Sequence, residues 1–157
     1  AAPALLLAGC GFQLRQPPKF AFRTLYTGVA EGSSLGNELK RQLLATGQVS
    51  VLTDPRQAAT ADVVLDVLVD QREKIVVGLS ATGQVREFQL RVRFKFRLRT
   101  PQGRDLIPDT ELLLQRDISF NETAVLSKEA EEGLLYRDMQ SDIVQQVMRR
   151  LAAVRLG

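Results

Sequence analysis

From Leu90 to Arg99 the chain alternates apolar and basic residues, and that pattern constrains the fold more than any other stretch. Leu90, Val92, Phe94, Phe96 and Leu98 fall on one parity; Arg91, Arg93, Lys95, Arg97 and Arg99 fall on the other. Successive side chains of a strand point to opposite faces, so such a strand needs a core on one side and a wet or anionic environment on the other. Asp62 to Leu79 and Asp105 to Phe120 read as its partners. They are joined to it by tight turns centred on Thr82-Gly83 and on Pro101-Gln102-Gly103.

The remaining elements fit around this three-stranded unit. Lys19 to Thr27 reads as a first strand, with Phe20, Phe22 and Tyr26 on a period of two. Ser33 or Ser34 is a plausible N-cap for a helix running to about Thr46, with Leu35, Leu39 and Leu43 at spacing four and Gly47 as its stop. Val49 to Leu52 adds a short strand, and Asp54 to Ala61 is a polar connection. A second helix is expected from about Glu129 to Val154, interrupted near Gly133. Leu135, Met139, Ile143, Val147 and Leu151 form its apolar stripe. The fold class expected is α+β: a two-layer sandwich with both helices on one face of a mostly antiparallel sheet of about four strands.

A two-residue loop at Thr82-Gly83 would set Asp70 opposite Lys95 and Asp66 opposite Arg99. A loop over Pro101 to Gly103 would set Asp105, Asp109 and Glu111 opposite Arg99, Lys95 and Arg93. The same registers bring Leu98 to Val67 and Leu106, and Val92 to Leu112, so both faces agree. Carboxylates then offset the cations near the second turn. Toward the first turn Lys74 would oppose Arg91 and Arg72 would oppose Arg93, an arrangement that is destabilising unless an anion is present. Arg72, Lys74, Arg91 and Arg93 are therefore expected to form a basic patch for an anionic ligand.

The chain of 157 residues has a formal net charge of +3, one cysteine and no histidine or tryptophan. Without histidine or a second cysteine, the commonest zinc and nucleophile–base arrangements are missing. No Gly-rich phosphate loop or nucleophile elbow occurs. The pattern argues against an enzyme and implies no cofactor. No segment approaches the roughly 20 apolar residues a membrane-spanning helix needs. The cysteine closes Leu7-Ala8-Gly9-Cys10, which follows Leu5 and Leu6 and has the form of a lipobox. Residues 1–9 are thus read as a signal-peptide remnant, Cys10 as the lipidation site, 10–18 as a tether containing Pro17-Pro18, and 19–157 as a single domain.

Cys10-Gly11-Phe12-Gln13-Leu14-Arg15 after such a lipobox resembles the mature start of the LptE family of lipopolysaccharide-assembly lipoproteins. Leu39-Lys40-Arg41-Gln42-Leu43, Thr82-Gly83-Gln84 leading into Glu87-Phe88-Gln89-Leu90, and Gly103-Arg104-Asp105-Leu106-Ile107-Pro108 are similar to the same family. So are Asp142-Ile143-Val144 and Arg149-Arg150-Leu151. The resemblance implies a non-enzymatic outer-membrane lipoprotein on the periplasmic side, its Gly11 in keeping with that address. It implies a one-to-one plug in the lumen of an LptD-type β-barrel, and binding of lipopolysaccharide. It also implies a ligand contact at Lys128, and a second before the Gly83-Gln84 turn, where this chain has Ala81 and Thr82 and the nearest base is Arg86. A barrel lumen of the porin type is polar, which would account for the charged sheet face as well as water does. Two alternatives remain open from the residues: a free-standing periplasmic lipoprotein that captures an anionic envelope ligand, and an envelope hydrolase.

Overall fold

The computed structural model describes residues 18–157. Cys10, the lipobox and the tether up to Pro17 lie outside the described residues. Five strands and two long helices follow in chain order: β1 (Thr24–Thr27), α1 (Ser34–Ala45), β2 (Ser50–Leu52), β3 (Val63–Leu79), β4 (Val85–Arg99), β5 (Asp105–Ser119) and α2 (Val125–Ala152). The sheet order is β2-β1-β3-β4-β5. β1 runs parallel to both β2 and β3, while β3, β4 and β5 form an antiparallel meander. The α+β class is as expected; the sheet has five strands where about four were expected, and it is mostly antiparallel by length, the short pairings of β1 being parallel.

Local chemistry fixes the element ends. Ser33 caps α1, its hydroxyl accepting from the Gly36 N–H at 2.9 Å. α2 begins four residues before the expected Glu129 and runs unbroken through Gly133. A 3-10 turn over Glu122–Ala124 feeds it, with the Asn121 side chain accepting from the Thr123 N–H. The apolar parity of β4 is fully buried, and Leu35, Leu39 and Leu43 of α1 pack on it together with Met139, Ile143, Val147 and Leu151 of α2. Each such side chain contributes about 1.5–3 kcal/mol by leaving water. Leu135 packs only partly against this core; Tyr136 and Gln140 take buried places on α2 that the stripe did not anticipate.

Three features reset the expected register. The first hairpin has a three-residue loop: Ser80 N donates to Gln84 O at 2.8 Å, and Gly83 takes φ +81°. Only a residue without Cβ adopts that backbone easily. Across the middle of β3 the pairing is accordingly Arg72↔Val92 and Lys74↔Leu90, not Arg72 with Arg93 and Lys74 with Arg91. A bulge between Val67 and Val69 then reverses the parity again, so Val67 meets Phe96 and Asp66 meets Arg97. On the other side, Arg99 does pair with Asp105. Register shifts between Arg99 and Leu98 and between Leu98 and Phe96 bring Ile107, not Leu106, opposite Leu98, and Glu111, not Asp109, opposite Lys95. Pro108 lies in this interval, and a residue without an N–H interrupts a ladder there.

Candidate functional site

The four expected patch cations stand on two faces of the sheet. Because β3 changes parity at Leu68, its distal half turns Asp70, Arg72 and Lys74 toward the helices, where Asp70 finds the cap of α1 and the other two find side chains of α2. The Ser33 hydroxyl donates to the Asp70 carboxylate. Arg72 Nη2 donates to Gln140 Oε1 at 2.8 Å and its guanidinium lies 5.1 Å from the Tyr136 ring centroid. Lys74 Nζ meets Glu132 Oε2 at 2.7 Å. Gln140 is only 6% exposed, and its amide donates onward to Glu38 Oε2 at 3.0 Å. The Tyr136 hydroxyl donates to Glu73 O at 2.9 Å. Burial, then the nearby Glu132 charge, holds the phenol above its ordinary value against the opposing pull of Arg72.

Arg91 and Arg93 face the opposite way, on the side of the sheet that carries the other β4 cations. They are compensated by a carboxylate the expected register had hidden. Glu73 pairs with Arg93 at 3.5 Å and with Arg91 at 3.9 Å, and Arg93 also engages Glu111. Glu111 foremost, then Glu73, holds the Arg93 guanidinium above its ordinary value. Nearer the second turn Asp66 bridges Arg97 at 2.9 Å and Arg99 at 2.8 Å. Partial burial pushes the Asp66 carboxyl up, but the hydrogen bonds and charges of those two arginines outweigh it and set it below its ordinary value. The face is thus a lattice of offset charges, not an uncompensated basic patch.

Lys74 instead joins Lys128, which the patch had left out. Both line a small pocket of about 70 Å³ at the distal end of the sheet, with Phe88, Phe120, Val125 and Glu132 among its walls. Lys74 Nζ sits 4.4 Å from the Phe88 ring centroid, and Phe88 meets Phe120 edge to face at 5.6 Å. Lys128 Nζ reaches Ser119 Oγ at 3.0 Å and Glu131 Oε2 at 3.1 Å. Around this pair the tip exposes Val76, Val77, Leu79, Val125 and Leu126, the last at 82%. Glu129 and Glu132 share this pocket, so Lys74 and Lys128 are charge-paired as the open-face arginines are; what sets this end apart is the apolar rim beside the two lysines, which suits a ligand that is anionic at one end and hydrocarbon at the other. Glu132, Phe88 and Phe120 were not legible as members of this group. Their only signal was the parity of β3, which depended on the loop at Gly83.

Comparison with known proteins bears on what this arrangement belongs to. The model of the family LptE, described as lipopolysaccharide-assembly, matches residues 21–151. The chain belongs to the LptE family. The LPS-assembly lipoprotein LptE of Pectobacterium atrosepticum is 26% identical over 151 residues, covering 96% of this chain and 80% of that protein. The protein of the same name from Yersinia enterocolitica is 27% identical over 154 residues, covering 96% and 72%. Among solved structures, an uncharacterized lipoprotein B from Nitrosomonas europaea superposes with a TM-score of 0.75 at 33% identity, covering 91% of each chain. The rare lipoprotein B from Shewanella oneidensis, at 22% identity, shares the fold with a TM-score of 0.65 over 83% of this chain and 95% of its own. Membership in the LptE family places the protein among lipoproteins of lipopolysaccharide assembly.

Proposed function

We propose that this protein is a non-enzymatic outer-membrane lipoprotein, anchored through Cys10 on the periplasmic side. There it plugs the lumen of an LptD-type β-barrel in a one-to-one complex and contacts lipopolysaccharide during its passage to the outer leaflet. The observation that carries the plug is the open face of β3, β4 and β5. Its cations lie beside Asp66, Glu73 and Glu111, and no helix among the described residues covers them. A face that is polar yet locally neutral suits the polar wall of a barrel lumen. Extraction in mild detergent is expected to recover the protein with a large β-barrel partner; recovery only as a free lipoprotein would overturn the plug.

Of the five cations first expected to meet the ligand, Lys74 and Lys128 are the contacts we propose, since they share one pocket beneath an apolar rim. Arg91 and Arg93 belong to the face proposed to meet the barrel, and Arg72 positions α2 through Gln140 and Tyr136. Titration of lipopolysaccharide into the wild-type protein and into K74Q/K128Q tests the assignment. Weaker binding is expected from the double variant and unchanged binding from R91Q/R93Q. The reverse pattern would move the contact to the open face.

A further inference from the structure

The outer edge of β5 is the longest regular run of unpaired strand backbone among the described residues. Nothing lies beyond β5 in the sheet order, and its register with β4 is unbroken from Phe96↔Thr110 to Glu87↔Ser119. Residues 110–119 contain neither proline nor glycine, and they span roughly 30 Å. The other edges are blunted, as exposed edges usually are. β2 is three residues long. The side of β3 left free beyond its pairing with Thr27 is broken by register shifts after Val67, Val76 and Gly78. At β5 only the stretch near Pro108 is interrupted in this way.

One hydrogen bond fixes which of its groups are free. Phe120 N donates to Arg86 O at 2.8 Å, and these two residues stand directly opposite in the β4–β5 register. Bonded and non-bonded pairs alternate along an antiparallel ladder. The even-numbered residues from Thr110 to Ile118 therefore bond to β4, while Glu111, Leu113, Gln115 and Asp117 turn their N–H and C=O groups outward. Arg116 agrees with this direction: its Nη1 donates to Gln115 O at 2.8 Å, reaching a carbonyl that β4 does not use. The side chains of the same four residues share the open face with the β4 arginines, where Glu111 engages Arg93 and Asp117 accepts from Gln89 at 3.2 Å. Two of the four are acids and none is a base. Leu113 lies between the acids, 43% exposed.

We infer that this edge is a strand-addition site, at which an extended segment of the barrel partner pairs with β5 and continues the sheet. The inference rests on the proposed plug. A closed barrel uses its own backbone groups within its wall, so the segment is one that leaves the wall and enters the lumen. Main-chain bonds hold such a strand and its alternate side chains select it. On the open face the segment needs an apolar residue beside Leu113 and a base beside Asp117, whose one side-chain partner among the described residues is the Gln89 amide. A second copy of β5 fits less well, since it would bring two more acids and no base to the same face.

Amide hydrogen exchange, resolved by residue, is measured on the full-length protein alone and in the complex recovered with the barrel in mild detergent. Alone, Glu111, Leu113, Gln115 and Asp117 are expected to exchange freely while Leu112 and Leu114 are protected. In the complex the first four should slow by about a hundredfold or more. Q115P removes one outward N–H and no bond to β4. It is expected to unfold as cooperatively as the wild type and to lower affinity for the barrel by about tenfold. D117K, which only reverses an exposed charge, should weaken the complex too and stands in if Q115P does not fold. A wild-type complex whose outward amides stay fast, or undiminished recovery of the barrel by both variants, overturns the inference and leaves the plug standing. Failure of the wild type to recover any barrel ends both. A free protein of doubled mass, with the same amides already slow, assigns the edge to a second copy and overturns the inference as well.

Discussion

Replacing Arg72 with Met tests the parity of β3 directly. In the observed register the guanidinium reaches between the layers, donating to Gln140 Oε1 and lying over the Tyr136 ring. Met keeps the aliphatic stem but removes the donor. The Gln140 oxygen, in a residue 6% exposed, then has no partner, a loss of about 1–3 kcal/mol. The ring contact adds about 0.5–1 kcal/mol, taken at the low end because Arg72 is still open to solvent. R72M should thus destabilise by about 1.5–3.5 kcal/mol, measured by urea denaturation with an unchanged m-value.

Q140L alone should cost less, since Arg72 can turn to water and Glu38 still accepts from Ser141 Oγ at 2.7 Å. In the double variant no buried acceptor is orphaned. The cycle should therefore show a coupling of about 1–2 kcal/mol, with R72M/Q140L more stable than the sum of the single losses implies. Additive losses, or an R72M effect below about 0.5 kcal/mol, would mean that Arg72 points to the open face and that the pairing with Val92 is wrong.

Asp66→Asn leaves Arg97 and Arg99 facing each other without their shared acid. Because the folded carboxyl titrates below its ordinary value near 3.8, its contribution is present above that value and is lost as pH falls through the lower, folded one. The stability gap between wild type and D66N should be full near neutral pH and close below about pH 4; a gap that widened in acid would contradict the bridge. In Gly36→Ala, the new Cβ would lie 2.0 Å from Val29 Cγ1, so the loop over α1 must shift. A loss of about 1–3 kcal/mol is expected, largely recovered in V29A/G36A when thermal unfolding is followed by circular dichroism. Glu132→Gln frees Lys74 from its 2.7 Å partner and should tighten lipopolysaccharide binding in the titration above; weaker binding would place Glu132 itself among the ligand contacts.

Period-two and period-four patterns carried most of the elements. The parity of β4, the α1 leucines and the Met139-to-Leu151 stripe all lie in the core as read. What period alone could not supply was loop length. Thr82-Gly83 reads equally as a two-residue loop or as the end of a three-residue one, and the difference of one residue moves Arg72 and Lys74 from one face to the other. Nor does β3 announce its bulge, since Val67, Leu68 and Val69 are all apolar and either parity looks plausible there. The parallel placement of β1 between β2 and β3 depends on a chain crossover, which no local pattern encodes. Lys128 came from the family resemblance, and its proximity to Lys74 required the α2–β3 packing to be seen.

The bulge at Leu68 is what allows a strand as charged as β3 to serve two layers. With one parity throughout, Asp66, Asp70, Arg72 and Lys74 would all stand on the open face, and the inner face of the distal half would be Val69, Gln71, Glu73 and Ile75. Glu73 would then be pressed against the helices beside Glu132 and the Tyr136 hydroxyl, and Arg91 and Arg93 would lose the acid between them. One inserted residue exchanges these outcomes. It sends Glu73 out to two arginines and brings Arg72 and Lys74 in to an amide, two rings and a carboxylate. The same insertion leaves the open face close to neutral and carries Lys74 around to Lys128. A charge-paired polar face and the Lys74–Lys128 pocket thus have a common origin in the geometry of one strand, and deleting Leu68 should remove the bulge yet keep both, because Val69 then still meets Lys95 and Asp70 still meets Phe94.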